Sequence, residues 1–162
     1  MTIPEAQAPG FNLSGYAMTQ VFVSSVIPAA PAAVWRVIRD FNGLPDWTPF
    51  VAESHIEGGK PADQVGCIRN FTLADGGKIR EQLLMLSDVA MSCTYAILES
   101  PMGVADYVAT LSLTPVTDGG LTFAAWRADF NCPAEREQAL IDQIGDGVFL
   151  SAFRHLRQRF QP

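Results

Sequence analysis

The 162-residue chain has few positive charges, few cysteines and no long apolar run. Its 11 Lys and Arg residues stand against 17 Asp and Glu, for a net charge of −6. This balance argues against nucleic acid as a partner, because polyanions are bound by clustered basic side chains. No apolar run approaches the ~20 residues that cross a bilayer, so we expect no membrane span. With 48% hydrophobic and only 17% charged residues, the composition is typical of one folded domain.

The three cysteines, Cys67, Cys93 and Cys132, lie far apart and show none of the spacings of a metal site. We therefore predict buried free thiols in a reducing compartment, and hence a cytoplasmic protein. The signature motifs of serine hydrolases, zinc proteases, P-loop NTPases and dinucleotide-binding enzymes are also missing. The sequence thus predicts no metal and no cofactor.

The order of hydrophobic patterns predicts an α+β fold. Residues 1–18 lack the basic start and apolar block of a signal peptide and are expected to be a flexible lead-in to a single domain, residues 19–162. A strand pattern opens that domain at Gln20, two short helices follow, and six more strand patterns occupy Val51 to Asn131. A long helical pattern then runs from Pro133 to Phe160. We predict a seven-stranded curved antiparallel sheet wrapped around this C-terminal helix, with two short helices between strands 1 and 2.

Hairpin turns predict which strand residues face the helix. Asp118-Gly119 fits a two-residue turn, which pairs Leu111 with Trp126. Because side chains alternate along a strand, this register sets the inner face of the last three strands. The predicted inner face is apolar and aromatic, and it includes Cys93, Tyr95, Ile97, Tyr107, Ala109, Leu111, Leu113, Ala124, Trp126, Ala128 and Phe130.

Asp75-Gly76-Gly77 fits a three-residue hairpin between strands 3 and 4. This turn would set Phe71 opposite Glu81. It would also set Arg69 opposite Leu83, so that Arg69 lies diagonal to Glu81. All four side chains are then expected on the inner face.

Glu81 is the most conspicuous of the inner-face residues, because a carboxylate among apolar side chains must be paired, hydrogen-bonded or protonated. One interpretation is a structural ion pair with Arg69. The other is a polar anchor, or a general acid or base, that meets a ligand. The hydroxyls of Tyr95 and Tyr107 leave the same choice open, between a ligand and a protein partner.

Two glycines, Gly145 and Gly147, interrupt the C-terminal helical pattern, and each costs about 1 kcal/mol relative to alanine inside a helix. On a helical wheel Gly145 falls on the apolar arc, near Ile144 and Val148, whereas Gly147 flanks it. Gly145 is therefore expected either to touch a strand closely or to leave space for a ligand.

The order of elements resembles the helix-grip fold of the START and Bet v 1-like (SRPBCC) superfamily, in particular the bacterial polyketide cyclase/dehydrase group. The resemblance covers roughly Gln20 to Phe160. It is carried by Val34-Trp35, by Val65-Gly66-Cys67 followed by Arg69, by Glu81, and by the final helix. In such proteins the sheet and helix enclose an apolar cavity for a lipid, polyketide, hormone or aromatic compound.

The chain is also distantly similar to plant abscisic-acid receptors, from Glu81 through Tyr107 and from Pro133 to Phe153. That similarity implies a set of cavity positions: Glu81, Tyr95, Ile97, Tyr107, Trp126, Ile144, Val148 and Ala152. Those receptors hold the hormone carboxylate with a lysine where this chain has Ala52, so hormone reception is not expected.

The leading hypothesis from the sequence is binding of a hydrophobic, aromatic or polyketide-like small molecule between the sheet and the C-terminal helix. The predicted ligand contacts are Arg69, Phe71, Glu81, Leu83, Tyr95, Ile97, Tyr107, Trp126, Ile144, Gly145, Val148 and Ala152. A second hypothesis is a cofactor-independent cyclase or dehydratase, in which Glu81 is the acid or base and Tyr95 or Tyr107 polarises a carbonyl. A third is a partner-binding regulatory module or homodimer that uses outward apolar residues such as Leu84 and Phe123.

Overall fold

The structure is a computed structural model that describes residues 16–161, and this part of the chain forms seven strands and a long C-terminal helix. A short helix, α1 (Pro31–Ile38), and a 3-10 turn (Leu44–Asp46) lie between the first two strands, as predicted. The predicted lead-in falls largely outside the described residues, except that its last positions already belong to the first strand. The strands are β1 (Tyr16–Ile27), β2 (Val51–Ile56), β3 (Ile68–Leu73), β4 (Lys78–Ser87), β5 (Ser92–Glu99), β6 (Ala105–Pro115) and β7 (Thr122–Pro133).

The strands form a single antiparallel sheet in the order β1-β7-β6-β5-β4-β3-β2. The predicted register of β6 and β7 is confirmed, since Leu111 pairs with Trp126 and Leu113 with Ala124. Alternate residues of β6 and β7 are buried, which places the predicted apolar face against the helix.

The predicted register of β3 and β4 is wrong by two residues. Arg69 lies directly opposite Glu81, and Phe71 lies opposite Ile79. The reason is the turn: the Leu73 N–H donates to the Gly77 carbonyl, so Gly77 belongs to the ladder and the turn is centred one residue earlier. A shift of two residues preserves the facing of every side chain, and it brings Arg69 closer to Glu81 than predicted.

The C-terminal helix (residues 137–159) changes its winding in the middle. It begins as α2 (Glu137–Asp142), continues as a π-helix (Gln143–Leu150, here the π segment) and ends as α3 (Ser151–Arg159). Both glycines fall in the π segment, whose wider turns are rare and are found frequently at functional sites. Within residues 16–161, no helix combines the length and apolarity that a bilayer crossing requires.

The π segment packs against β1 on one side, and Gly145 lies at this contact. A Cβ added to Gly145 would lie 3.4 Å from Val21 Cγ1 and 3.8 Å from Val23 Cγ2. Gly145 therefore permits close helix–strand packing, the first of the two alternatives that its position left open. A Cβ on Gly147 would meet only the Asp142 carbonyl oxygen, at 4.0 Å, so the space beside this second glycine is open.

Candidate functional site

A cavity of about 550 Å³ lies between strands β3 to β6 and the π segment. Most of its lining is apolar or aromatic. The exposed lining residues, such as Asp75, Pro101, Arg136 and Gln143, mark its mouth, whereas Glu81, Tyr95 and Tyr107 are buried at its inner end. The lining comprises Phe50, Phe71, Leu73, Ala74, Asp75, Ile79, Glu81, Tyr95, Ile97, Pro101, Met102, Tyr107, Arg136, Gln143, Ile144, Gly147, Val148 and Phe149.

An ion pair stands at the inner end of the cavity. Arg69 Nε donates to Glu81 Oε2 at 2.6 Å, and Nη2 lies 2.5 Å from the same oxygen. Arg69 Nη1 donates to the Phe41 carbonyl at 2.8 Å, and the guanidinium lies 4.0 Å from the centroid of the Phe41 ring. Arg69 thus acts as a fixed support behind Glu81, held by its own hydrogen bonds and by aromatic rings.

Glu81 has one carboxylate oxygen, Oε1, that accepts no hydrogen bond from the described residues. Among residues 16–161 it receives hydrogen bonds only on Oε2, while its side chain borders the cavity. Burial raises the pKa of this carboxyl, because a charge is poorly solvated there, although the nearby Arg69 acts in the opposite direction. Such a group can accept a hydrogen bond or exchange a proton, which are the two properties an acid or base requires.

Two tyrosine hydroxyls lie beside Glu81. Trp126 Nε1–H donates to the Tyr95 hydroxyl at 3.1 Å, and the Tyr95 and Tyr107 rings are 6.5 Å apart. Burial raises the pKa of both phenols, so each remains a neutral hydroxyl that can donate a hydrogen bond. Tyr95 therefore has a protein partner, and both tyrosines also border the cavity.

A cluster of packed aromatic rings separates the cavity from the core under β1 and β7. Trp126 stacks on Phe149 with centroids 4.3 Å apart and an interplanar angle of 8°. Phe153 and Trp47 contact the same indole at 5.8 and 5.7 Å. Phe149 alone among these four rings borders the cavity, so Trp126 supports the wall from behind.

The structure brings seven of the twelve predicted contact residues to the cavity wall: Phe71, Glu81, Tyr95, Ile97, Tyr107, Ile144 and Val148. Arg69, Trp126, Leu83 and Ala152 are buried behind that wall. Arg69 and Trp126 act through hydrogen bonds to Glu81 and Tyr95, whereas Leu83 and Ala152 belong to the packed core.

The predicted cavity position of Gly145 is wrong. The two glycines exchange the parts suggested by the helical wheel: Gly145 contacts β1 and Gly147 borders the cavity. A wheel drawn for 3.6 residues per turn misplaces residues in a π segment, because i→i+5 hydrogen bonds put more residues in each turn.

Several mouth residues were not predicted, among them Met102, Arg136 and Gln143. Loop and helix-start residues carry no alternation that would indicate their direction, so no sequence signal marked them. Within residues 16–161, no group of three or more His, Cys, Asp or Glu side chains is arranged to hold a metal ion.

A curved antiparallel sheet that grips a long helix around an apolar cavity defines the helix-grip, Bet v 1-like class of proteins. The chain belongs to the family described as polyketide cyclase / dehydrase and lipid transport, whose model matches residues 18–161. No curated protein matches the chain.

Solved structures with this fold include two bacterial proteins of moderate sequence similarity. XoxI from Bacillus cereus is 28% identical over 88% of this chain and 96% of that one, with a TM-score of 0.77. A protein from Thermobifida fusca is 26% identical over 87% and 92% of the two chains, with a TM-score of 0.79. Norcoclaurine synthase from Thalictrum flavum, solved with dopamine and hydroxybenzaldehyde, is 16% identical over 98% and 96%, with a TM-score of 0.73. This last likeness concerns the fold alone.

Proposed function

We propose that this protein binds a mostly apolar, aromatic or polyketide-like small molecule in the cavity between the sheet and the π segment. The observation that carries the proposal is a space of about 550 Å³ lined mainly by apolar and aromatic side chains, with a buried carboxyl at its inner end. Small-molecule sites commonly have this size and this mixture of apolar walls with a few polar groups.

The inner end suits a ligand with one polar group. Glu81 Oε1 can accept a hydrogen bond from a ligand hydroxyl, and Tyr107 can donate one to a carbonyl. The ring faces of Phe71 and Phe149 offer contacts to a flat or aromatic body. A ligand with an unsaturated or aromatic body and an oxygen function at one end fits these groups best.

Binding of a neutral apolar fluorophore, N-phenyl-1-naphthylamine, tests the proposal. Ile97→Trp places an indole in the cavity and is expected to weaken probe binding at least tenfold. Leu98→Trp is the matched control, because Leu98 is the next residue of β5, is 44% exposed and points away from the cavity. If wild-type protein binds no probe, or if both variants bind it equally well, the cavity is not a binding site.

Native mass spectrometry of protein purified from its source cells would supply the identity of the ligand. We expect a retained small molecule that is released on denaturation. Retention of that molecule should be lost in Ile97→Trp and kept in Leu98→Trp.

A cofactor-independent cyclase or dehydratase is the second candidate, and the position of Glu81 favours it. A carboxyl that borders the cavity, has one oxygen without a partner among the described residues and has a raised pKa can transfer a proton, while the neighbouring phenols polarise a carbonyl. Glu81→Gln, assayed on poly-β-ketone substrates by mass spectrometry of the products, should abolish turnover and leave probe affinity within about threefold. Unchanged turnover and unchanged affinity together would mean that the Arg69–Glu81 pair is purely structural.

The remaining expectations belong to the same proposal. Three buried free thiols, Cys67, Cys93 and Cys132, fit a reducing, cytoplasmic location. Burial raises the pKa of Cys93 to about 11, which keeps this thiol protonated and unreactive. Residues 19–162 are proposed to act as one domain. A homodimer or partner contact through Leu84 and Phe123, which are 41% and 37% exposed, is open to test by sedimentation.

A further inference from the structure

The mouth of the cavity carries one arginine that has no partner among the described residues. Arg136 borders the cavity at the point where the 3-10 turn Ala134–Arg136 leads into α2. Four other arginines (Arg39, Arg69, Arg80 and Arg127) form ion pairs with carboxylates. Within residues 16–161, the Arg136 side chain makes no hydrogen bond and no ion pair. Its guanidinium therefore has donors available beside the cavity.

The end of the Arg136 side chain lies against Gly103 at the mouth. Its Nη1 lies 2.5 Å from where a Cβ on Gly103 would stand, so a side chain at residue 103 would displace the end of the Arg136 side chain. Gly103 also has a φ of +72°, which glycine adopts readily and other residues rarely do. Gly103 belongs to the loop between β5 and β6, whose residues Pro101 and Met102 border the same mouth. The arginine thus connects this loop to the start of the C-terminal helix.

The charges around the cavity leave Arg136 as its uncompensated cation. The Glu81 carboxylate at the inner end is paired with Arg69. Asp75, the other acidic lining residue, accepts a hydrogen bond from the Gly77 N–H on Oδ1 and lies beyond ion-pair distance of Arg136. A guanidinium with free donors binds carboxylates and other oxyanions well, because its planar fork matches two acceptor oxygens.

The spacing from the β3–β4 turn to Glu81 gives the approximate depth of the cavity along this wall. Gly77 stands at the turn near the mouth, and Glu81 follows four residues later in the strand. Four residues of extended strand cover roughly 13 Å. An extended apolar body of about that length would place its far end at Glu81 and Tyr107.

We propose that the ligand is an amphipathic acid, whose acidic group is bound by Arg136 at the mouth and whose apolar body occupies the cavity. This inference rests on the proposed binding function and specifies its ligand class. Arg136 is then a specificity-determining residue: it selects acids over neutral molecules of the same shape.

Two fluorophores with a common body test this selection. 1-Anilinonaphthalene-8-sulfonate carries an anionic group, and N-phenyl-1-naphthylamine is the same aromatic body without it. Arg136→Gln should weaken binding of the sulfonate about fivefold, the range of a partly exposed charge pair, and leave the neutral probe unchanged. Added salt should weaken binding of the sulfonate probe to wild type more than its binding to Arg136→Gln. Arg157→Gln, which removes an exposed arginine of α3 away from the cavity, is the control and should alter neither probe.

Gly103→Ala provides a second variant that keeps the charge. The added methyl should displace the guanidinium, and a urea unfolding curve would show that the protein still folds. We expect Gly103→Ala to lose affinity for the sulfonate probe and to keep its affinity for the neutral probe. Arg136→Lys should bind the sulfonate probe more tightly than Arg136→Gln does.

The outcomes separate this inference from the proposed function. Equal effects of Arg136→Gln on both probes, or no effect on the sulfonate, would overturn the role of Arg136 while the cavity continues to bind the neutral probe. A wild-type protein that binds neither probe would overturn the proposed function itself.

Discussion

The two sides of the C-terminal helix differ in what they contact, and two glycines only two residues apart show the difference. On the β1 side, Gly145 brings the backbone close enough that a methyl group would touch Val21 at 3.4 Å. On the opposite side, Gly147 faces open space and borders the cavity. One glycine serves close packing and the other serves an empty volume. The structural role of a glycine in a helix therefore depends on the residues that surround it.

The π segment produces this difference between the side of the helix that packs against β1 and the side that borders the cavity. Its widened turns present Ile144, Gly147 and Val148 to the cavity while Gly145 stays against the sheet. Beyond it, α3 returns to regular winding and buries Ala152, Phe153 and Leu156 in the hydrophobic core. The helix thus has a packed end and a cavity-lining middle, and substitutions should separate the two.

The largest expected effect is on stability at the packed end. Phe153 is fully buried against Trp126, so Phe153→Ala should lower the free energy of unfolding by about 3–5 kcal/mol. Val148→Ala only widens an existing space and should cost about 1 kcal/mol or less. Urea denaturation of both variants measures the difference. Similar losses at the two positions would mean that the helix is packed equally on both sides.

Leucine substitutions at the two glycines should give the next largest effect, and they should affect different properties. Gly145→Leu has no room beside Val21 and should cost about 1–3 kcal/mol through overpacking. Gly147→Leu should leave stability nearly unchanged and weaken N-phenyl-1-naphthylamine binding roughly tenfold, because the side chain enters the open space. Unfolding curves and probe titrations on the same samples measure both effects. A loss of probe binding in Gly145→Leu together with a loss of stability in Gly147→Leu would refute the assignment of the two glycines.

The smallest effect is a pH dependence, since it concerns one titrating group. The pKa of Glu81 is raised in the folded state above its ordinary value of 4.5. Its contribution to stability is therefore fully present below pH 4.5 and is lost as the pH rises through the raised pKa. The free energy of unfolding of wild type minus that of Glu81→Gln should therefore fall over this interval. Carboxylates with lowered pKa, such as Glu57 at about 2, titrate alike in both proteins and cancel.

Urea unfolding from pH 4 to pH 8 measures this difference. Glu81→Gln also leaves Arg69 without its partner, but Arg69 stays charged throughout, so that penalty is constant and does not alter the slope. If the free energy of unfolding of wild type rises with pH relative to that of Glu81→Gln, Arg69 lowers the Glu81 pKa more than burial raises it.

Much of the fold could be predicted because the inner faces depend only on strand alternation. The β3–β4 register was wrong by two residues, yet Arg69, Phe71 and Glu81 still face inward, since an even shift preserves facing. The family resemblance and the strand alternation both place Tyr95 and Tyr107 at the cavity, because both depend on which face of the strand a residue occupies.

The rest of the site could not be predicted, because it depends on geometry that the sequence pattern does not carry. Gly145 was assigned to the cavity on the assumption of regular helical winding, and the π segment breaks that assumption. Arg136 and Met102 reach the mouth from a helix start and a loop, where hydrophobic periodicity gives no direction. The volume of the cavity depends on how all the walls pack together.

Titration of ¹⁵N-labelled protein with N-phenyl-1-naphthylamine would locate the binding site, because amide shifts report binding residue by residue. We expect the largest shifts at Ile97, Tyr107 and Val148 around the cavity, and little change at Val26 and Phe123 on the outer face of the sheet. Shifts concentrated at Val26 and Phe123, or no shifts at a high concentration of probe, would mean that the cavity does not bind the probe.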